Sequence, residues 1–154
     1  MMNKKYEPHK SSILGLEANV VSLLIYLIPF LIGVFSYGGI WGNFTWIIPL
    51  LALIFEKDSK LVKFHGWQAL LMTLFYGAIG TVTTIVGVST SFAGMFAGSA
   101  GAVVSGAAIV LIVGIISIIF AILEIIAAVK AYGWVSYRLP IVGKWASNLS
   151  HENE

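Results

Sequence analysis

The chain has 154 residues, of which 58% are hydrophobic and only 10% are charged, with a formal net charge of +2. Soluble domains carry about 25% charged residues, so this composition excludes an ordinary water-soluble domain. The absence of cysteine excludes disulfides and thiolate metal sites.

The positions of the charges divide the chain into long apolar runs. Between Glu17 and Glu56 there is no charged residue, and between Lys63 and Lys130 there is only Glu124. Runs of that length predict membrane-spanning helices. No small-residue cleavage site follows a short apolar core at the start of the chain, so the run from Val20 is interpreted as a retained span and not as a signal peptide.

The first half of the chain predicts a polar segment followed by two spans. Residues 1–15 are polar and are expected to be poorly ordered, near the membrane surface. The first span is predicted at residues 18–35, with a kink at Pro29. The second, at residues 40–55, covers about 24 Å, less than a hydrocarbon core of about 30 Å. The two spans form either a thin crossing hairpin, which is favoured, or a re-entrant pair.

The second half predicts two longer spans after the charged loop Glu56 to Lys63, which is interpreted as solvated. The third span is predicted at residues 64–88 and the fourth at residues 102–132, with a tail over residues 134–154. The small-residue segment between them forms either a loop or the first turns of the fourth span.

Topology follows from the basic residues. All nine lysines and arginines precede span one, separate spans two and three, or lie at the end of span four and beyond it. The positive-inside rule makes that side cytoplasmic. We therefore predict an all-α integral membrane bundle of four transmembrane helices, a membrane domain over residues 16–133, cytoplasmic N and C termini, and a location in the cytoplasmic membrane.

Small residues recur on one face of the third and fourth spans. A seven-residue spacing of this kind is typical of helices that pack closely side by side. The helix-packing positions predicted from it are Gly66, Thr73, Gly80, Gly114, Ala121 and Ala128. The isoleucines on the other faces of span four are expected to face lipid.

Glu124 is the one carboxylate inside an apolar run. It lies seven residues before Ala131, about 10 Å along a helix, where a charge costs about 2–3 kcal/mol on insertion scales. Either it forms a structural hydrogen bond, protonated or not, or it is a proton- or cation-responsive group. Its candidate neighbours share the end of the bundle at which the basic residues lie. The predicted polar pocket consists of Glu17, Asn19, Ser22, Tyr26, His65, Gln68 and Glu124. The alternative for His65 is an interfacial histidine with no special role.

No catalytic, cofactor or metal pattern is present. There is no nucleophile–base spacing, no phosphate-binding glycine loop and no clustering of the three histidines. The basic residues lie beside spans and do not form a nucleic-acid-binding surface. We therefore expect no enzyme, no cofactor, no metal and no nucleic-acid partner. The expected partners are the lipid bilayer and either another membrane protein or further copies of this chain.

Three stretches carry a resemblance to a known family. They are "GLEANVVSLLIYL", "LIFEKDSKLVKFHGWQALL" and "VKAYGWVSYRLPIVGKWA". Together they resemble the signatures of a family of small uncharacterised bacterial and archaeal four-helix membrane proteins. That family is distantly similar to the chloroplast inner-envelope Tic translocon subunit of about twenty kilodaltons. The resemblance covers most of residues 15–146, although the turn "SYGGIWGNFT" and residues 89–106 depart from it.

The resemblance implies four helices with both ends on one side. It marks as characteristic Glu17, Asn19, Glu56, Lys57, Phe64, His65, Gln68, Leu139, Pro140 and Gly143. The function expected is a non-enzymatic accessory or translocon-like component that interacts with other membrane proteins. The alternative is a small oligomeric channel or transporter that uses Glu124.

Overall fold

A computed structural model describes residues 3–35 and 44–151 of the chain. Within these ranges the protein is helical, apart from one pair of two-residue strands. The elements are β1 Lys4–Lys5, α1 Ala18–Phe35, α2 Ile47–Phe55, α3 Lys60–Phe96, α4 Ala100–Tyr132, β2 Val135–Ser136 and α5 Val142–Leu149. Of these, α1, α3 and α4 are long and apolar enough to cross a membrane.

The second predicted span is shorter in the structure than in the prediction. Residues 40–43 lie outside the described ranges, residues 44–46 form a turn, and α2 has nine residues, about 14 Å in length. Pro49 is the third residue of α2. Because proline has no backbone N–H, it costs a helix least in the first turn, which fits a helix that begins close to Pro49.

The small-residue segment after the third predicted span is divided between two helices. Helix α3 continues to Phe96, and α4 begins at Ala100. In the turn between them, Gly98 has φ +65°, a conformation that glycine adopts without steric cost. The Ser99 N–H donates to the Gly94 carbonyl at 2.8 Å and closes the end of α3.

The chain divides into two compact units, residues 1–74 with 122–154 and residues 75–121. In the second unit, glycines set the approach of α3 to α4. A Cβ added at Gly94 would lie 2.7 Å from the Ala102 Cβ, and one at Gly106 would lie 2.5 Å from the Gly87 carbonyl oxygen. The two helices therefore touch backbone to backbone at these positions.

The predicted packing positions differ in what they contact. A Cβ added at Gly66 would lie 2.9 Å from the Leu53 side chain of α2, so Gly66 is a packing position. A Cβ at Gly80 or Gly114 would have no described atom within 4 Å. Within residues 3–35 and 44–151, neither glycine therefore marks a helix contact, and the α3–α4 approach runs through Gly87, Gly94 and Gly106. The other three positions are Thr73 and Ala121, half-buried, and Ala128, buried.

In the first unit the N-terminal segment is ordered, and the prediction of poor order for residues 3–15 is wrong. Strand β1 pairs antiparallel with β2, with Lys4 opposite Ser136. The Tyr6 N–H donates to the Trp134 carbonyl at 2.8 Å. Because the paired segments lie more than 120 residues apart in the chain, no local sequence pattern reports the pairing.

The tail also folds. Residues 142–149 form α5, which buries Val142, Gly143, Ala146 and Ser147. A Cβ at Gly143 would lie 2.8 Å from the Arg138 Cα, so only a glycine lets α5 begin against that backbone.

Candidate functional site

Three buried polar side chains of the first unit form one cluster. Tyr26 of α1 and His65 and Gln68 of α3 have exposed fractions of 1%, 0% and 0%. The Tyr26 hydroxyl lies 3.0 Å from His65 Nδ1, and Gln68 Nε2 donates to the same hydroxyl at 3.2 Å. We call these three residues the Tyr26–His65–Gln68 cluster.

The cluster binds the backbone that leads from β2 to α5. His65 Nε2 lies 3.1 Å from the Val135 carbonyl oxygen. Gln68 Nε2 donates to the Tyr137 carbonyl at 3.0 Å, and its Oε1 accepts from the Leu139 N–H at 3.1 Å. Two side chains of α3 thus fix three peptide groups of an otherwise irregular segment.

Only one protonation form of His65 gives each hydrogen bond of the cluster one donor and one acceptor. A carbonyl oxygen only accepts, so His65 Nε2 carries the proton toward Val135. In the neutral ring Nδ1 is then an acceptor, and the Tyr26 O–H donates to it. The Tyr26 oxygen accepts from Gln68. Every donor meets an acceptor when His65 is neutral, whereas a second ring proton would leave the Tyr26 O–H without one.

A second cluster surrounds Glu56, whose exposed fraction is 3%. Its carboxylate accepts from the Ser11 hydroxyl and from the backbone N–H groups of Ser12 at 3.2 Å, Asp58 at 3.0 Å and Ser59 at 2.9 Å. The expectation that Glu56 belongs to a solvated loop is therefore wrong. Asp58 is exposed, as expected for that loop.

Charge and burial oppose each other at Glu56. Burial by itself would raise the pKa of the carboxyl, but the hydrogen bonds from Ser11, Ser59, Asp58 and Ser12 outweigh it and lower the pKa below its ordinary value. The ionised form is therefore stabilised by folding, and this carboxylate ties the N-terminal segment to the start of α3.

Ser59 continues the Glu56 cluster at the N-cap of α3. Its hydroxyl accepts from the Val62 N–H at 3.2 Å, as an N-cap side chain does. His9 Nε2 lies 2.8 Å from the same hydroxyl, and the His9 ring lies 5.3 Å from that of Trp134. A serine three residues before an apolar helical run is the signal from which this position could have been predicted.

The predicted polar pocket is only partly assembled. Tyr26, His65 and Gln68 meet, but they fill a closed polar core in place of an open pocket, because residues 135–139 cover them. Ser22 is buried beside them on α1 and donates to its own helix, at the Ala18 carbonyl, at 2.7 Å.

The remaining pocket residues lie apart from the cluster. Asn19 donates from Nδ2 to the Tyr132 carbonyl at 3.0 Å and so ties α1 to the end of α4, while Glu17 is exposed. Glu124 is half-buried and lies within electrostatic range of Tyr26. It forms no hydrogen bond or ion pair with any residue in the described ranges. Within the same ranges, no three histidine or acidic side chains are grouped closely enough to hold a metal ion.

The three described helices that are long and apolar enough to cross a membrane define the class of protein, a helical membrane protein. The chain belongs to the MamF/MmsF family, the magnetosome magnetite crystal formation protein family, whose model matches residues 17–146. No curated protein and no solved structure matches the chain. The predicted resemblance to a small bacterial family is thus confirmed, whereas these comparisons do not support similarity to the chloroplast translocon subunit.

Proposed function

We propose that the chain is a non-enzymatic component of its membrane that acts by binding other membrane proteins. The observation that carries this proposal is how its buried polar side chains are used. His65, Gln68 and Glu56 all bond to the chain's own backbone. Each of them makes contacts that hold helix ends and irregular backbone in one arrangement, which is a structural use of a buried polar group and not a catalytic one.

We propose that the chain has four membrane segments and that both termini lie in the cytoplasm. Helix α2 is then the shorter helix of a hairpin with α1. The nine basic residues all flank one end of the spans, which supports this orientation. The membrane we propose is the cytoplasmic membrane or that of the magnetosome, the structure named in the description of the family.

For a role in crystal formation, we propose an accessory function and not direct contact with mineral. Carboxylates are the side chains that suit hard cations, and between Lys63 and Lys130 the chain has only Glu124. The turn between α3 and α4 therefore offers an iron mineral no acidic ligand. A translocation role, in which the bound partner is a secretion component, is the narrower version of the same proposal.

The surface we assign to a partner lies on the α3–α4 hairpin. Gly77, Gly80 and Gly114 have no described atom within 4 Å of an added Cβ. Glycines on an apolar helix allow a second helix to approach its backbone. Because no residue in the described part of the chain packs against these three glycines, we assign them to a helix of another protein or of a second copy.

A small oligomeric channel or transporter is the second candidate, and Glu124 favours it. This residue lies inside an apolar helix without a hydrogen-bond partner among the residues described. An unbonded carboxyl at that depth is expensive in a membrane and is usually functional.

The experiment is affinity purification from native membranes in mild detergent, with mass spectrometry of the intact complex. We expect a stoichiometric foreign membrane protein with the wild type, and its loss with Gly114→Leu but not with the control Ile115→Leu. Recovery of the partner with both variants would contradict the assigned surface.

A homo-oligomer without a foreign partner would contradict the accessory function. The channel candidate then predicts ion flux in liposomes that falls with Glu124→Gln. Equal flux from wild type and variant, or no flux, would remove that candidate.

A further inference from the structure

A cavity of about 300 Å³ lies in the first unit, where the chain turns from β2 into α5. Its lining brings together two cationic side chains, those of Arg138 and Lys144, and the side chain of Asn3. The Asn3 Oδ1 accepts from the Arg138 N–H at 3.3 Å, which seats the N-terminal segment on one wall. The other described residues of the lining are Leu139, Pro140 and Ile141, so none of the lining residues in the described ranges is acidic.

Packing at Gly143 brings the two cations to one cavity. A Cβ at this position would lie 2.8 Å from the Arg138 backbone, so α5 starts in direct contact with residue 138. Lys144 follows in the first turn of the helix and lines the same cavity as Arg138. Two cations on one small cavity are the donor set that an anionic phosphate group recognises.

An apolar strip lies directly beside the cavity. Ile141, Trp145 and Leu149 follow one another at four-residue intervals and have exposed fractions of 64%, 55% and 45%. Trp145 and Leu149 share one face of α5 at this spacing, while Ile141 precedes the helix and lines the cavity itself. Tryptophan at such a position is typical of the interface between lipid headgroups and acyl chains.

The backbone of Ile141 also directs its side chain outward. Its φ is +71°, and the Val142 N–H donates to the Pro140 carbonyl at 2.9 Å, which is the rare positive-φ form of the γ-turn. This conformation is strained for a β-branched residue. This strained backbone leaves the Ile141 side chain exposed beside the two cationic residues of the cavity.

We propose that this cavity binds the headgroup phosphate of an anionic phospholipid. Arg138 and Lys144 contact the phosphate, while Ile141 and Trp145 contact the glycerol backbone and the first acyl carbons. The apolar strip favours a lipid over free phosphate, because a free anion would gain nothing from it. The site would fix α5 against the membrane surface and does not depend on the partner surface proposed for α3 and α4.

The test uses the full chain in a zwitterionic detergent, with native mass spectrometry to measure binding of short-chain phosphatidylglycerol. The variant is Lys144→Gln, with Lys144→Arg as the charge-keeping variant. The control is Lys130→Gln, which removes an exposed lysine at the end of α4 that does not line the cavity. Melting temperatures without lipid verify that all four proteins are folded.

We expect Lys144→Gln to weaken phosphatidylglycerol binding about tenfold, the size of one lost charge-assisted contact. Lys144→Arg and Lys130→Gln should bind as the wild type does. Equal binding by Lys144→Gln and the wild type would overturn the proposal, and so would an equal loss with Lys130→Gln, which would indicate unspecific surface charge.

Two further probes separate the possible ligands. Phosphatidylcholine should bind at least tenfold more weakly than phosphatidylglycerol, and equal binding would mean that the apolar strip adsorbs any lipid. Glycerol phosphate should not displace the lipid at millimolar concentration. Displacement at that concentration would assign the cavity to a soluble phosphate compound and contradict the lipid site.

Discussion

In the first unit, polar side chains bond to backbone groups far away in the chain, whereas in the second unit most hydroxyls bond within their own helix. Gln68 reaches Tyr137 and Leu139. By contrast, Thr90 donates to the Val86 carbonyl and Ser105 to the Ala102 carbonyl. Each unit therefore holds its helices by a different kind of contact.

The difference follows from the solvent each helix segment meets. Lipid is as apolar as a leucine side chain, so apolar burial does not hold helices together inside a membrane. The second unit instead relies on close approach at Gly87, Gly94 and Gly106. The first unit contains irregular backbone, and its peptide groups need partners wherever water is excluded. Side chains such as Gln68 supply those partners.

The largest expected effect is at Glu56. Replacing it by alanine leaves the Ser12, Asp58 and Ser59 N–H groups without their acceptor, and we expect a loss of about 4 kcal/mol in the free energy of unfolding. The control Asp58→Asn, at an exposed carboxylate, should cost less than about 1 kcal/mol. Thermal unfolding in detergent measures both, and equal losses would show that Glu56 is not the organising acceptor.

Acid should weaken the first unit through the same residue. Because folding lowers the pKa of Glu56, its contribution is present in full above the ordinary pKa of 4.5 and is lost as the pH falls through the lower pKa of the folded form. The melting temperature of the wild type should fall below about pH 4.5. Glu56→Gln should be less stable at pH 7 and show a smaller acid-induced decrease; parallel pH curves for the two proteins would contradict this.

In the second unit the sensitive positions should be glycines. A Cβ at Gly106 would lie 2.5 Å from the Gly87 carbonyl oxygen and 2.7 Å from the Ser91 nitrogen, so Gly106→Ala should cost about 2 kcal/mol through overpacking. Gly114→Ala is the matched control on the same helix, with open space at its Cβ. Comparable unfolding of the two variants would mean that glycine contacts do not hold this hairpin.

A smaller effect is expected at a hydrogen bond between two side chains that joins α3 to α4 in the second unit. The Tyr76 hydroxyl lies 2.7 Å from the Ser117 hydroxyl, which also donates to the Val113 carbonyl. Tyr76→Phe should cost about 0.6 kcal/mol, the average for such bonds in membranes. A double-mutant cycle with Ser117→Ala should give a coupling energy of that size. A coupling energy above about 2 kcal/mol would contradict the difference between the units, because a polar contact would then hold the second unit as polar contacts hold the first.

The helical character of the chain could be predicted because long apolar runs and their flanking charges are local features of the sequence. Residues 18–35 are helical in the structure as they are in the prediction. The order of the N-terminal segment could not be predicted, since Lys4 pairs with Ser136 and Ser11 bonds to Glu56 across long separations.

The side chains of the candidate site could be predicted from the sequence, but the backbone groups that cover them could not. His65 and Gln68 stand out as polar groups at the edge of an apolar run, and Tyr26 lies on the facing side of α1. The groups that cover these side chains are backbone groups, the carbonyls of Val135 and Tyr137 and the N–H of Leu139. Backbone groups are the same in every sequence, so residue types alone do not show where a side chain will find them.

Gln68 and His65 hold the segment from β2 to α5 by its backbone. Hydrogen exchange by mass spectrometry, comparing the wild type with Gln68→Leu, measures how firmly that segment is held. We expect peptides covering residues 135–141 to exchange at least about tenfold faster in the variant, the effect of losing about 1.4 kcal/mol of local stability, while peptides from residues 75–121 are unchanged. Unchanged exchange over residues 135–141, in a variant that remains folded, would contradict it.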